Sequence, residues 1–447
     1  MSNNKNKLAS IITVLLILTS IFYMISNKKV VLNSNFPLKY EDKIDDLISK
    51  MTLEEKVGQT CQITLDAILQ KDSNGKLIEP HTIDNDKLYE AIHKYKVGSI
   101  LNVSDRTFTL DDWHNKLEKI DNCTNEHPNT IPIIYGIDAI HGANYVQNST
   151  LFPQEIGLAA TWDTSIAKSM GEVTAYETRA SGVPWNFSPV LDLGRQPIWS
   201  RFFETLGEDV YLSKTMGKKI VEGYQGDFPI DKYHVASCLK HYVGYSFPKT
   251  GRDRTPCLIP ERTMEELYLP PFKESIDAGA MTVMINSGEV NGIPGHANKY
   301  LLTDLLKDKW GFSGFTLSDW EDFIKLHKEH RSDSTIKDAI ATGINAGVDM
   351  SMVPNNPQYK KYVENLIELV NEGRVSYDRL DDAVRRILRV KAELGLLNDR
   401  SFNKNDYEDF ASEKHQQLAY KSAAESITLL KNNNDILPLT KDKSILL

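Results

Sequence analysis

Short apolar runs alternate with helix-period stretches along most of this chain. Seven runs are expected to be strands: residues 97–103, 131–137, 184–191, 235–239, 281–285, 315–317 and 348–352. Between them, as in 165–179, 260–278 and 298–309, apolar residues recur every three or four positions, the spacing of one buried helix face. Strands that recur with helical crossovers pair in parallel. About seven such units in one run predict an α/β fold, closed as a TIM-like (β/α)8 barrel.

The flanks add to this. Residues 45–62 are predicted to be helical, with Ile44, Leu47, Ile48 and Met51 on one face, and Thr52 with Glu55 three residues on forms a capping box for a new turn. Residues 377–396 give a last amphipathic helix, 397–413 a polar linker, 414–430 another helix, and Ser444-Ile445-Leu446-Leu447 a nascent strand. One helix and one strand bury no core of their own. The expected organisation is therefore a barrel over 36–396 and the opening of an incomplete second domain over 414–447.

At the other end, residues 8–25 are almost wholly apolar and lie between Lys5, Lys7 and Lys28, Lys29. Residues 1–30 are thus a signal peptide or a signal anchor, and the barrel is expected outside the cytosol, secreted or membrane-anchored. Contact with a membrane is expected only through this segment. Acceptor tripeptides at Asn102, Asn122, Asn148 and Asn186 suit a secretory route, with Asn122 favoured because Asn148 and Asn186 adjoin expected core. The formal charge of -9 argues against a nucleic-acid partner. Four cysteines, Cys61, Cys123, Cys238 and Cys257, contain no C-x-x-C pair, which speaks against a zinc or redox motif; free buried thiols and one or two disulfides both remain open.

Chemistry gathers where the strands finish, the end at which such barrels carry their active sites. The run 315–317 stops on Asp319-Trp320, 131–137 on Asp138 with His141 behind it, and 235–239 on Lys240-His241. The run 184–191 leads to Asp192, Arg195, Trp199, Arg201 and Glu204. Plainer readings stand beside the catalytic one. Ser318 with Glu321 fits a helix-capping box, Asp138 fits a turn, Lys240 and His241 fit a rim ion pair, and Arg201 with Glu204 fits a local pair. Together, though, carboxylates and cationic groups beside two tryptophans suit a hydroxyl-rich, uncharged ligand. The charged groups hydrogen-bond hydroxyls, and an indole covers the apolar face of a sugar ring.

Four motifs carry a resemblance. They are Tyr135-Gly136-Ile137-Asp138-Ala139-Ile140-His141-Gly142, Phe152-Pro153-Gln154-Glu155-Ile156-Gly157-Leu158, Lys240-His241-Tyr242-Val243-Gly244, and the stretch from Gly311 to Trp320. In this order they resemble glycoside hydrolase family 3, of the β-glucosidase and exo-β-glucan glucohydrolase type, from residue 37 onward. The resemblance implies retaining hydrolysis of terminal non-reducing β-D-glucosyl residues from β-glucosides or β-glucans, without metal or other cofactor. Asp319 would be the nucleophile. Asp138, Arg201, Lys240 and His241 would hold the sugar hydroxyls, with Trp320 and Glu204 nearby, and the second domain would be an α/β sandwich.

Two departures matter. Relatives often have Arg-Asp-Pro-Arg-Trp-Gly-Arg where this chain has Arg195-Gln196-Pro197-Ile198-Trp199-Ser200-Arg201. The proton donor that a retaining mechanism needs is also missing, since in two-domain members it comes from the sandwich domain. Single-domain members use an Asp-His pair after Lys-His, but here the loop reads Gly251-Arg252-Asp253-Arg254-Thr255. The spacing of Glu289 and Asp322 singles out neither as a substitute. Three accounts follow: a truncated β-glucosidase, an inactive glycan-binding barrel, or a barrel completed by a second chain.

Overall fold

The computed structural model describes residues 36, 38–103, 106–127, 130–354, 357–398 and 403–445; the apolar segment 8–25 lies outside the described residues. Eight strands form one parallel sheet: β1 Cys61–Thr64, β2 Ser99–Leu101, β3 Ile134–Ile137, β4 Trp185–Asn186, β5 Ala236–Tyr242, β6 Thr282–Ile285, β7 Phe315–Leu317 and β8 Ser351–Met352. β8 pairs with β1 (Cys61 opposite Ser351), and a parallel bridge between Leu317 and Met350 closes the ring. The predicted barrel is present, with the eighth strand that the sequence pattern did not reveal.

That strand is β1. Its first two residues fell inside the expected helix 45–62, which the structure divides into Glu41–Lys50 and Leu53–Gln59, the second started by the Thr52–Glu55 capping box. All four β1 residues are buried, yet two are polar: Gln62 donates to Ser99 Oγ and Thr64 to the carbonyl of Pro354. Polar residues inside a barrel strand remove the apolar run that marks a strand. The run 184–191 likewise keeps only Trp185–Asn186 in the sheet; Leu191 then returns to it by donating its amide to the Lys240 carbonyl.

Alternation along the strands sorts two apolar layers. Leu101, Ile134, Trp185, Cys238, Met284, Phe315, Leu317 and Met352 pack together as the barrel interior, while Ile63, Ile100, Tyr135, Leu239 and Val283 pack under the helices. Gly136 belongs to the inner parity, and a Cβ there would meet the Phe187 ring at 2.5 Å. Asp138 follows Ile134 and Gly136 in parity, and Asp319 follows Phe315 and Leu317. Both carboxylates are thereby aimed inward above the C-terminal rim.

The helix expected over 414–430 spans Glu413–Ser426 and rests on the helices Glu155–Ala160 and Thr164–Ala180. His415 Nδ1 donates to Glu177, a fully buried carboxylate that also accepts from the amides of Thr150 and Ala411. Beyond it Ile427, Leu430 and Ile436 are exposed. Ser444 and Ile445 lie in no strand, because no neighbouring strand among the described residues pairs with them; Leu446 and Leu447 lie outside the described residues. All four cysteines are free and buried, so the disulfide alternative drops. Asn122 and Asn148 are exposed, the latter against expectation because it sits on a left-handed turn, whereas Asn186 is fully buried. Among the described residues no helix is long and apolar enough to cross a membrane.

Candidate active site

A continuous polar network crosses the C-terminal mouth. It begins at β3, where Asp138 Oδ1 accepts from Lys240 Nζ at 2.5 Å and Oδ2 from Asn102 at 2.7 Å; Asn102 also accepts the Asp138 amide at 3.0 Å. Lys240 is almost fully buried, so the carboxylate balances a charge that has left water. A register shift in the β5–β6 pairing between Leu239 and Tyr242 interrupts simple alternation, and both Lys240 and the following His241 join the network.

His241 is held from two sides. Its Nδ1–H donates to Asp192 Oδ2 at 2.7 Å, and its Nε2 accepts from Arg201 Nη2 at 3.2 Å. Burial, then the charges of Arg201 and Lys240, keep this imidazole well below the ordinary histidine range and therefore neutral. Arg201 in turn pairs closely with Glu204 through Nε and reaches the Tyr245 hydroxyl. Burial works against its charge, but Glu204, Tyr245 and Asp319 raise its pKa above the usual arginine value. The local Arg201–Glu204 pair exists, therefore, and orients a guanidinium that also touches His241.

Asp319 stands at the end of β7. The Ser318–Glu321 capping box is absent: the helix Asp322–Lys328 begins after Glu321 in a left-handed conformation, and Ser318 Oγ accepts the Met352 amide of β8 instead. The Trp320 amide donates to Asp319 Oδ1 at 2.5 Å, while the Asp319 amide donates to His296 Nε2 at 3.2 Å. Oδ2 is buried without a hydrogen-bond partner. Burial would raise this carboxyl, yet Arg254, Arg201, Lys325 and the Trp320 amide outweigh it and hold the pKa below the ordinary value. Arg254 Nη2 is 3.9 Å from Oδ1.

The two tryptophans part company. Trp320 is exposed at the mouth, but Trp199 is buried, with its ring N–H on Asp253 at 2.9 Å, and offers no open indole face. His141 is tied to the Phe152 carbonyl. Sequence reasoning misses Asn102, Arg254 and His296 as parts of this site. Asn102 stands out in the sequence only as a glycosylation acceptor, Arg254 lies on a loop, and His296 lies in the short 3-10 turn Gly295–Ala297, where no periodicity marks them. Of the two further carboxylates, Glu289 accepts from His330 at 2.8 Å, and Asp322 Oδ1 accepts from Ser287 at 2.6 Å and Lys325 at 3.1 Å.

The sequence profile described as the Glycosyl hydrolase family 3 N terminal domain matches residues 52–390. The chain belongs to glycosyl hydrolase family 3. Similar family members include a lysosomal beta glucosidase of Dictyostelium discoideum, 40% identical over 434 residues, which cover 93% of this chain and 52% of that protein. A periplasmic beta-glucosidase of Salmonella typhimurium is 33% identical, with 92% and 51% covered. Among solved structures, the exo-1,3/1,4-beta-glucanase of a Pseudoalteromonas species superposes with a TM-score of 0.80 at 30% identity, covering 91% of this chain and 50% of that one. A beta-glucosidase from Listeria innocua superposes with a TM-score of 0.78 at 33% identity, covering 90% and 54%. The chain spans about half the length of the family 3 relatives it matches.

Proposed function

We propose that this family 3 barrel removes terminal non-reducing β-D-glucosyl residues from β-glucosides or β-glucans, with retention and with Asp319 as the nucleophile. The observation that carries the reading is the buried, unpartnered Oδ2 of Asp319, on a carboxyl that neighbouring cations keep ionised. In the first step Oδ2 attacks the anomeric carbon, the glycosidic bond breaks towards the leaving group, and a glycosyl ester forms. Asp138, Lys240, His241 and Arg201 would bind the sugar hydroxyls, Glu204 would orient Arg201, and Trp320 would cover a sugar face. The β-glucosidases and exo-glucanase among the relatives support this substrate class.

The proton donor is assigned to neither Glu289 nor Asp322. Glu289 is held by His330, and Asp322 by Ser287 and Lys325. We read 36–396 as the catalytic barrel, 397–413 as its linker and 414–447 as the opening of a sandwich domain, and we place the donor on such a domain or on a second chain. Location outside the cytosol is supported by relatives named lysosomal and periplasmic, and residues 8–25 suit export or anchoring.

The test is 2-deoxy-2-fluoro-β-glucosyl fluoride, whose leaving group needs no protonation. A stable ester on the Asp319 peptide, absent in Asp319→Asn, is the expected mass-spectrometric result. Absence of label, or label elsewhere, overturns the assignment. Glucose binding without label would favour a glycan-binding barrel.

A further inference from the structure

On the outside of the barrel, far in sequence from the mouth residues of β5 and β7, two helices meet over a set of metal-type donors. The helix Asn85–Tyr89 continues into a wider turn, Glu90–Lys94, in which the Tyr95 amide reaches back five residues to the Glu90 carbonyl at 3.0 Å. Such insertions often mark functional positions. This one carries His93, which faces the end of the helix Leu110–Asn125.

There His93 Nε2 lies 3.6 Å from Cys123 Sγ and 3.8 Å from Glu126 Oε2, and one donor atom from each residue falls within 4.8 Å of the others. Zinc bonds of about 2.3 Å to sulfur and 2.0–2.1 Å to nitrogen, at a tetrahedral angle, place those two atoms about 3.6 Å apart. The spacing therefore matches with little movement. In this arrangement Nε2–H donates to the Cys123 carbonyl at 2.8 Å. Ligation at Nε2 exchanges that one bond for a metal bond and moves the ring proton to Nδ1.

Access is open. Tyr89, Glu118, Lys119, Asn122, Cys123 and Glu126 line a depression of about 500 Å³ that connects the cluster to solvent. His127 packs edge-on against His93, with ring centroids 4.5 Å apart.

We propose that His93, Cys123 and Glu126 bind one borderline-soft divalent cation, zinc by the thiolate, imidazole and carboxylate donor set, and that the ion clamps these two outer helices. On binding, the Cys123 thiol gives its proton to solvent and no electron is transferred. The site is independent of the glycosidase reading.

The test uses the untagged full chain, stripped with chelator and titrated with Zn²⁺ by calorimetry and with Co²⁺ by absorption. One ion per chain, a cobalt–thiolate charge-transfer band and a rise in Tm are expected. Cys123→Ser should abolish the band, and Glu126→Gln, at an exposed position that folding tolerates, should weaken binding at least about tenfold. No band in the parent chain, or unchanged affinity in Glu126→Gln, overturns the proposal.

Discussion

Lys240 Nζ lies 2.5 Å from Asp138 Oδ1 although 102 residues separate them, and only the carboxylate retains appreciable exposure. Under the proposed function, this buried ammonium balanced by a partly exposed carboxylate is the pair that would hydrogen-bond sugar hydroxyls. Replacing Asp138 leaves Lys240 buried without its anion.

Asp138→Asn is therefore expected to slow labelling by the fluorosugar at low concentration about ten- to a hundredfold, the equivalent of about 1.5–3 kcal/mol for hydrogen bonds to a charged group. Label should still form on Asp319 at saturation. Inactivation kinetics across sugar concentrations check this; a loss confined to the saturating rate would place Asp138 with the reacting atoms instead.

Arg254 offers a prediction in pH. Its guanidinium is the largest of the charges holding Asp319 below the ordinary aspartate range. Asp319 protonates only below that range, so the acid limb of the labelling rate should lie below the usual carboxylate pKa. Arg254→Ala removes one lowering charge while burial continues to raise the group, and the acid limb should move to higher pH. Arg254→Lys should restore most of the shift. A pH–rate profile for the three proteins decides it, and an unmoved limb in Arg254→Ala would mean that Arg201 and Lys325 suffice.

How much of this is legible in the sequence differs from residue to residue. Asp319 is visible because an apolar triplet ends abruptly on it, and Asp138 because parity from Ile134 carries through Gly136. β1 is not, since Gln62 and Thr64 put hydrogen-bonding side chains inside the sheet, so that no apolar run marks them. Trp199 looks like a companion of Trp320 because a sequence does not reveal which indole N–H finds a buried acceptor. Arg254 and Asn102 come from loops and His296 from the 3-10 turn Gly295–Ala297, segments that only tertiary closure brings to the mouth. His93 and Cys123, 30 residues apart on different helices, have no ligand spacing to recognise.

Asp349 stands just before β8 and joins it to β7, the strand that ends on Asp319. Its Oδ2 accepts from the Thr316 amide of β7 at 2.9 Å, and Oδ1 lies 2.6 Å from Lys307 and 2.5 Å from Arg379. Burial would raise the carboxyl, but Lys307 and Arg379 lower it to about 2 from the ordinary 3.8. Burial pulls Lys307 itself down to about 7, so the firmer cation is Arg379. Because the folded-state pKa is depressed, the stabilisation is present above the unfolded value and is lost as pH falls from about 4 towards 2. Asp349→Asn should cost about 3–5 kcal/mol in denaturant unfolding at neutral pH, because it leaves buried cations uncompensated. It should also flatten the acid side of the stability profile. A variant as stable as the parent at pH 7 would show that Asp382, 2.8 Å from Arg379, takes over the charge.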